Sequence, residues 1–145
     1  MSKKPILYFK SDEQFQECCK WWQHKLFLDD WFIKFHLQDG IIEDSSMGDS
    51  LDGYVEYNWS NKEADIVIGN VKNHVDGACT INVAELTIVH ELLHIKDEYL
   101  TDMEDKDART FHKYIAHRAL EEMAKSLIMA KYGVDRDYFL DKGCD

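Results

Sequence analysis

The sequence predicts a single α+β domain: one helix, three or four short strands in a small mixed or antiparallel sheet, then two helices. Three observations carry this. Apolar residues recur at helical spacing up to about residue 27, alternate with period two after residue 30, and return to helical spacing from Asn82 onward.

The first helix is expected over residues 12–27. Ser11 at the N-cap and Gln14 three residues on make a capping box, and Phe15, Cys18, Cys19, Trp22 and Leu26 share a face. In "DDWFIKFHLQD", Trp31, Ile33, Phe35 and Leu37 alternate with Phe32, Lys34, His36 and Gln38, as in a strand with one buried face. "GIIEDSSMGDSLDG" holds three glycines, three serines and four acids, and reads as a loop. "YVEYNW" and "ADIVIG" read as two more strands joined by the turn "SNKE". A second box-like cap, Asn82 with Glu85, opens a helix through about Glu98. A third helix runs from about Ala108 to Tyr132 and stops at Gly133. The domain spans 1–145, with its core at about 11–132 and a polar, peripheral tail at 133–145.

Composition narrows the function classes. The 145 residues carry a formal net charge of −11, with 17 Lys and Arg against 28 Asp and Glu. That balance argues against nucleic acid or an anionic membrane as a partner. No apolar run approaches the ~18 residues of a membrane span, and the apolar part of "MSKKPILYFK" is too short for a signal-peptide core. Cys18, Cys19, Cys79 and Cys144 form no C-x-x-C and are expected as free thiols in a reducing, cytoplasmic compartment. Trp21, Trp22, Trp31 and Trp59 have no accompanying basic stripe and are expected in core or rim packing.

The stretch that carries chemistry is "TIVHELLHIKDEYL". On a helix, His90 and His94 lie on one face and can hold one ion between them. Glu91 lies about 100° away, where it can reach a water beside the ion without ligating. This is the H-E-x-x-H arrangement of zinc hydrolases, with Glu91 as the catalytic base. Such a pattern arises by chance in roughly one of 40 chains of this composition, so its surroundings decide. Leu86, Val89 and Leu93 make an apolar stripe, and two histidines beside it need partners that a metal would supply. A glycine and a third histidine at the metzincin spacing are missing; Asp97 and Leu100 stand there.

A third ligand is expected from the long helix, in "FHKYIAHRALEEMAKSL". His117 and Glu121 are four apart, beside Tyr114, Leu120, Ala124 and Leu127, whereas His112 is about 140° off that face. His117 is the expected ligand, with Glu121 holding a ligating histidine from behind; the exchange, Glu121 as ligand, is the alternative. His24, His36 and His74 are isolated, with His74 the one placed to approach the motif helix. Tyr99 and Tyr114 are candidates for stabilising an oxyanion. The acidic run Asp102, Glu104, Asp105 and Asp107 lacks the glycine and closing glutamate of a calcium loop and reads as solvated. Glu91-x-x-His94 also fits one E-x-x-H element of ferritin-like di-iron proteins, but no second one is found and the strand-rich middle does not suit a helical bundle.

With these residues the chain resembles the small zinc metallopeptidases encoded by phages and prophages, compact zincins similar to the minimal gluzincin and ImmA-like folds. "LFLDDWFIKFHL", "ADIVIG" and above all "LTIVHELLHI" carry the resemblance. It implies an N-terminal helix over a small twisted sheet, an active-site helix below it, and a following helix that donates the third ligand. In the family that ligand is acidic and stands about six residues before a large apolar–Ala pair. Here Met123-Ala124 is the pair, and His117 stands at the matching position. The resemblance also implies that the 64–69 strand borders the cleft and pairs with an extended peptide. The expected function is therefore zinc-dependent hydrolysis of peptide or protein substrates in the cytoplasm, the host's if the chain is phage-encoded. The alternative is a catalytically silent zinc protein that keeps the fold for a structural or regulatory role.

Overall fold

The structure is a computed structural model and describes residues 4–40, 42–44, 49–72, 81–98 and 106–140. Helix α1 spans Asp12–Lys25. The Ser11 hydroxyl accepts from the Gln14 N–H at 3.1 Å. The Gln14 side chain accepts from the Lys10 N–H at 2.8 Å, one residue further back than an ordinary capping box. Phe15, Cys18, Cys19 and Trp22 are buried, as their spacing predicts. Cys18 and Cys19 are free thiols. Burial, and for Cys18 the Glu85 charge as well, pushes both above the ordinary thiol range, which makes them unreactive. Cys79 and Cys144 lie outside the described residues.

The helix stops two residues short of expectation because Phe27 takes a left-handed φ of +58°. The Phe27 N–H then reaches the His24 carbonyl and the Leu28 N–H reaches the Gln23 carbonyl, which is a Schellman ending. Glycine usually fills this position, and Phe27 is left 84% exposed.

Five strands follow: β1 (Phe32–Asp39), β2 (Ile42–Asp44), β3 (Asp49–Leu51), β4 (Gly53–Asn58) and β5 (Glu63–Asn70). The three-stranded sheet has the order β1-β5-β4. β1 runs parallel to β5, from Phe32 opposite Glu63 to Asp39 opposite Asn70, while β4 runs antiparallel to β5. The sheet is thus mixed. Phe35 is buried and Ile33 and Leu37 half-buried, whereas Phe32, Lys34, His36 and Gln38 are exposed, so β1 has the one-sided burial its alternation predicts. β2 and β3 pair as a small hairpin inside the stretch read as a loop. Its strands have three residues each, too few for a periodic pattern to register.

One expectation is corrected here. The 64–69 strand is β5, the central strand, and does not border the cleft as an edge. Its place between β1 and β4 is set by those two pairings. Among the described residues β4 takes the edge position on the cleft side.

Helix α2 spans Ala84–Glu98 and α3 spans Lys106–Tyr132. α3 ends at Gly133, φ +68°, as expected. The cap of α2 differs from expectation. Its first N–H groups, of Ala84 and Glu85, bond the Leu7 and Ile6 carbonyls at 3.2 and 3.0 Å, and the Asn82 amide donates to the Val71 carbonyl instead. The N-terminal segment that supplies this cap is itself held by Asn70, whose side chain accepts from the Phe9 N–H and donates to the Phe9 carbonyl.

Glu85, the other half of the expected cap, is fully buried. One carboxylate oxygen accepts from the Ile6 N–H at 3.0 Å and the Tyr132 hydroxyl at 2.5 Å. The other accepts from Trp22 Nε1 at 2.8 Å and Lys131 Nζ at 2.6 Å.

α2 is buried nearly all round. Ile88, Leu92 and Ile95 are as inaccessible as Val89, so the predicted stripe is one side of a central helix that packs on α1, α3, β4 and β5. Trp22 and Trp31 are core, and Trp21 and Trp59 lie partly exposed at the rim. A short 3-10 turn, Arg136–Phe139, brings Phe139 into the core, so part of the predicted polar tail packs. Among the described residues no helix is long and apolar enough to cross a membrane.

Two substitutions test this packing. Phe27→Gly relieves the left-handed strain and is expected to raise stability by about 0.5–1 kcal/mol, read as a higher urea midpoint. At Gly53 a Cβ would meet Thr87 Cγ2 at 2.8 Å and the Val67 carbonyl oxygen at 2.9 Å. Gly53→Ala therefore forces β4 off α2 and is expected to cost about 1–3 kcal/mol in the same measurement.

Candidate metal centre

The start of α2 meets the end of α3, through Glu85 with Lys131 and Tyr132, and the middle of α2 meets the first half of α3. The two helices are therefore antiparallel. This places His117, on the second helix, against His90 and His94, on the first. Ala116, Leu120, Ala124 and Ile128 form the buried stripe that seats α3 and turns His117 and Glu121 toward α2.

His90, His94 and His117 each offer a ring nitrogen, and these atoms lie within 4.8 Å of one another. The Nε2 atoms of His90 and His94 stand 3.0 Å apart. His117 lies edge-on to His90, ring centroids 4.8 Å apart, and stacks on His94 at 5.8 Å. Ligand atoms of a tetrahedral zinc at 2.0–2.1 Å stand about 3.3–3.4 Å apart, so the rings would have to draw together by up to about 1.5 Å to close such a site. The donor set is all imidazole, which suits zinc and other first-row divalent metals.

Glu121 stands behind the cluster. Its Oε2 lies 2.8 Å from His90 Nδ1, on the side of the ring away from His94. The contact is close but poorly directed for a hydrogen bond, and Nδ1 otherwise has no partner in its buried position. Lys125 lies 3.9 Å from the other Glu121 oxygen.

The charges sort the groups. Burial works to lower the His90 pKa, but Glu121, Glu91 and Asp52 outweigh it and hold it above the ordinary value. A ligating nitrogen must give up its proton, so a cation seated at Nε2 would compete with the proton that these acids favour on His90. Burial, then the His90 charge, holds His117 below the ordinary range and favours its neutral form. Burial tends to raise Glu121, yet His90, Lys125 and His117 pull it down, so it stays ionised. Burial pushes Glu91 up to about 7, with Glu121 and Asp52 adding to the shift and His90 opposing it.

Glu91 faces a cleft of about 360 Å³ together with the three histidines. β4 supplies one wall through Gly53, Tyr54, Val55 and Tyr57, and α2 and α3 supply Asp97 and Ala116. Sequence reasoning named none of these as site residues. Gly53 held a usable signal, since a glycine opening a strand marks a close approach of another backbone or side chain. Of the remaining candidates, His24 and His36 pair with Asp29 and Asp65 on the surface. His74, Tyr99, Asp102, Glu104 and Asp105 lie outside the described residues, as do the side chains of Asp107, His112 and Tyr114. No protein-family model, curated protein or solved structure matches the chain.

Proposed function

We propose that the chain is a zinc-dependent metallopeptidase, in keeping with the small zincins its motif helix resembles. The observation that supports this best is the meeting of three imidazoles from two helices at a cleft that also holds a buried, unligated carboxylate. His90, His94 and His117 would hold the metal, with Glu121 orienting His90 through Nδ1. Bound there, zinc supplies a Lewis acid for a peptide carbonyl and a more acidic water.

The chain's own residues supply the remainder. Glu91, buried at the cleft beside the three histidines, would take a proton from water and return it to the leaving amine. The edge strand β4 offers an extended wall along the cleft for a peptide or protein substrate. A closed structural site would need a fourth protein ligand. Among the described residues the clustered ligand atoms belong to His90, His94 and His117.

Metal analysis of purified protein is expected to find one zinc per chain, lost in His117→Ala. Glu121→Ala should keep zinc with an affinity about 10- to 100-fold weaker. A wild-type chain that takes up no metal after zinc loading would remove the proposal. Glu91→Gln should retain zinc and lose about 100- to 10,000-fold in peptide hydrolysis; full activity in that variant would exclude Glu91 as the base.

A further inference from the structure

Glu85 is fully buried and lies outside the cleft, yet it collects donors from three other parts of the chain. These are the Ile6 N–H of the N-terminal segment, Trp22 on α1, and Lys131 and Tyr132 on α3. We propose that Glu85 is a positioning residue for the metal centre, setting the register of α3 against α2 so that His117 reaches His90 and His94. The proposal rests on the metal-site reading above and extends it to a residue about 7.5 Å further along α2, from a five-residue offset at 1.5 Å per residue.

The physical argument starts from what apolar packing does not specify. Leu120, Ala124 and Ile128 are buried, but burial alone is non-directional and does not set ligand positions to a few tenths of an ångström. A slip of one residue moves a side chain 1.5 Å along the axis and 100° around it. A metal tolerates only a few tenths of an ångström in its ligand distances. Register must therefore come from directed contacts. Among the described residues two such joints link α2 and α3: His90 with Glu121 near the cleft, and Glu85 with Lys131 and Tyr132 at the far end. The far joint is the better defined, because four donors saturate one buried carboxylate. Lys131 is further held by the Trp21 ring at 4.0 Å. Burial and the Glu85 charge keep the Tyr132 hydroxyl protonated and therefore a donor. The Ile6 bond, beside the carbonyl bonds that cap α2, fastens the same end of that helix to the N-terminal segment.

The test uses Glu85→Gln and Tyr132→Phe in the full chain, with zinc affinity measured by chelator competition and the Co²⁺ ligand-field spectrum recorded, at a temperature where each protein is folded. Tyr132→Phe is the milder change, since it removes one hydroxyl and keeps the ring. Zinc affinity is expected to fall about tenfold or more in Glu85→Gln and several-fold in Tyr132→Phe, each with a changed Co²⁺ spectrum. A purely structural Glu85 would lower the unfolding midpoint of the metal-free protein and leave affinity and spectrum of the folded protein unchanged; that outcome overturns the proposal. If Glu85→Gln does not fold, Tyr132→Phe decides by the same two readouts. Wild-type protein that takes up neither zinc nor cobalt overturns this inference together with the metallopeptidase reading, whereas normal uptake by the wild type and both variants overturns this inference alone.

Discussion

Helix α2 packs on α1, α3, β4 and β5 with Ile88, Val89, Leu92 and Ile95 fully buried, so each polar side chain facing inward from it must be satisfied inside the protein. That constraint organises the molecule. Glu85 meets it with four donors drawn from the N-terminal segment, α1 and α3. His90 meets it in part: its Nε2 faces His94, while its buried Nδ1 lies 2.8 Å from Glu121 without a well-directed hydrogen bond. Even the helix's own N-terminal N–H groups are served from a distance, by the Ile6 and Leu7 carbonyls. A helix this deeply buried ties the chain together through its polar exceptions as much as through its apolar majority.

The same burial separates two carboxylates that a sequence cannot tell apart. Glu91 and Glu121 both lie beside His90, Glu91 buried and Glu121 half-buried. Glu121 has His90, Lys125 and His117 around it and stays ionised, while Glu91 is governed by burial and by its acidic neighbours and rises to about 7. Environments that push paired acids apart are the usual basis for distinct roles at one site. On the proposed reading Glu91 handles protons and Glu121 orients an imidazole.

Much of the fold was legible because its signals are local. The Ser11 cap, the Phe15–Trp22 stripe, the alternation after Trp31 and the Gly133 stop each depend on a few adjacent residues, and each stands where its pattern puts it. The misreadings share a different cause. Asn82 and Glu85 have the spacing of a cap, but the donors and acceptors that claim them come from residues 6, 22, 71, 131 and 132. The β2–β3 hairpin is too short for periodicity, and the place of β5 in the sheet follows from which strands flank it, not from its own composition. Glu85 did carry a hint. It sits between Ala84 and Leu86 in a run of apolar residues, where a carboxylate facing inward needs partners.

The sequence by itself determined the pair His90 and His94 on one helical face, the offset of Glu91 from it, and a second helix carrying His117 and Glu121 four residues apart. Those relations follow from 3.6 residues per turn and need no knowledge of the rest. Only the tertiary structure decided that the two helices run antiparallel with His117 inside the histidine cluster and Glu121 behind His90, and that β4 forms the wall of the cleft. The reason is physical. The relative placement of two helices is set by burial and by a few directed contacts between residues far apart in the chain, and no local spacing records which of those contacts form.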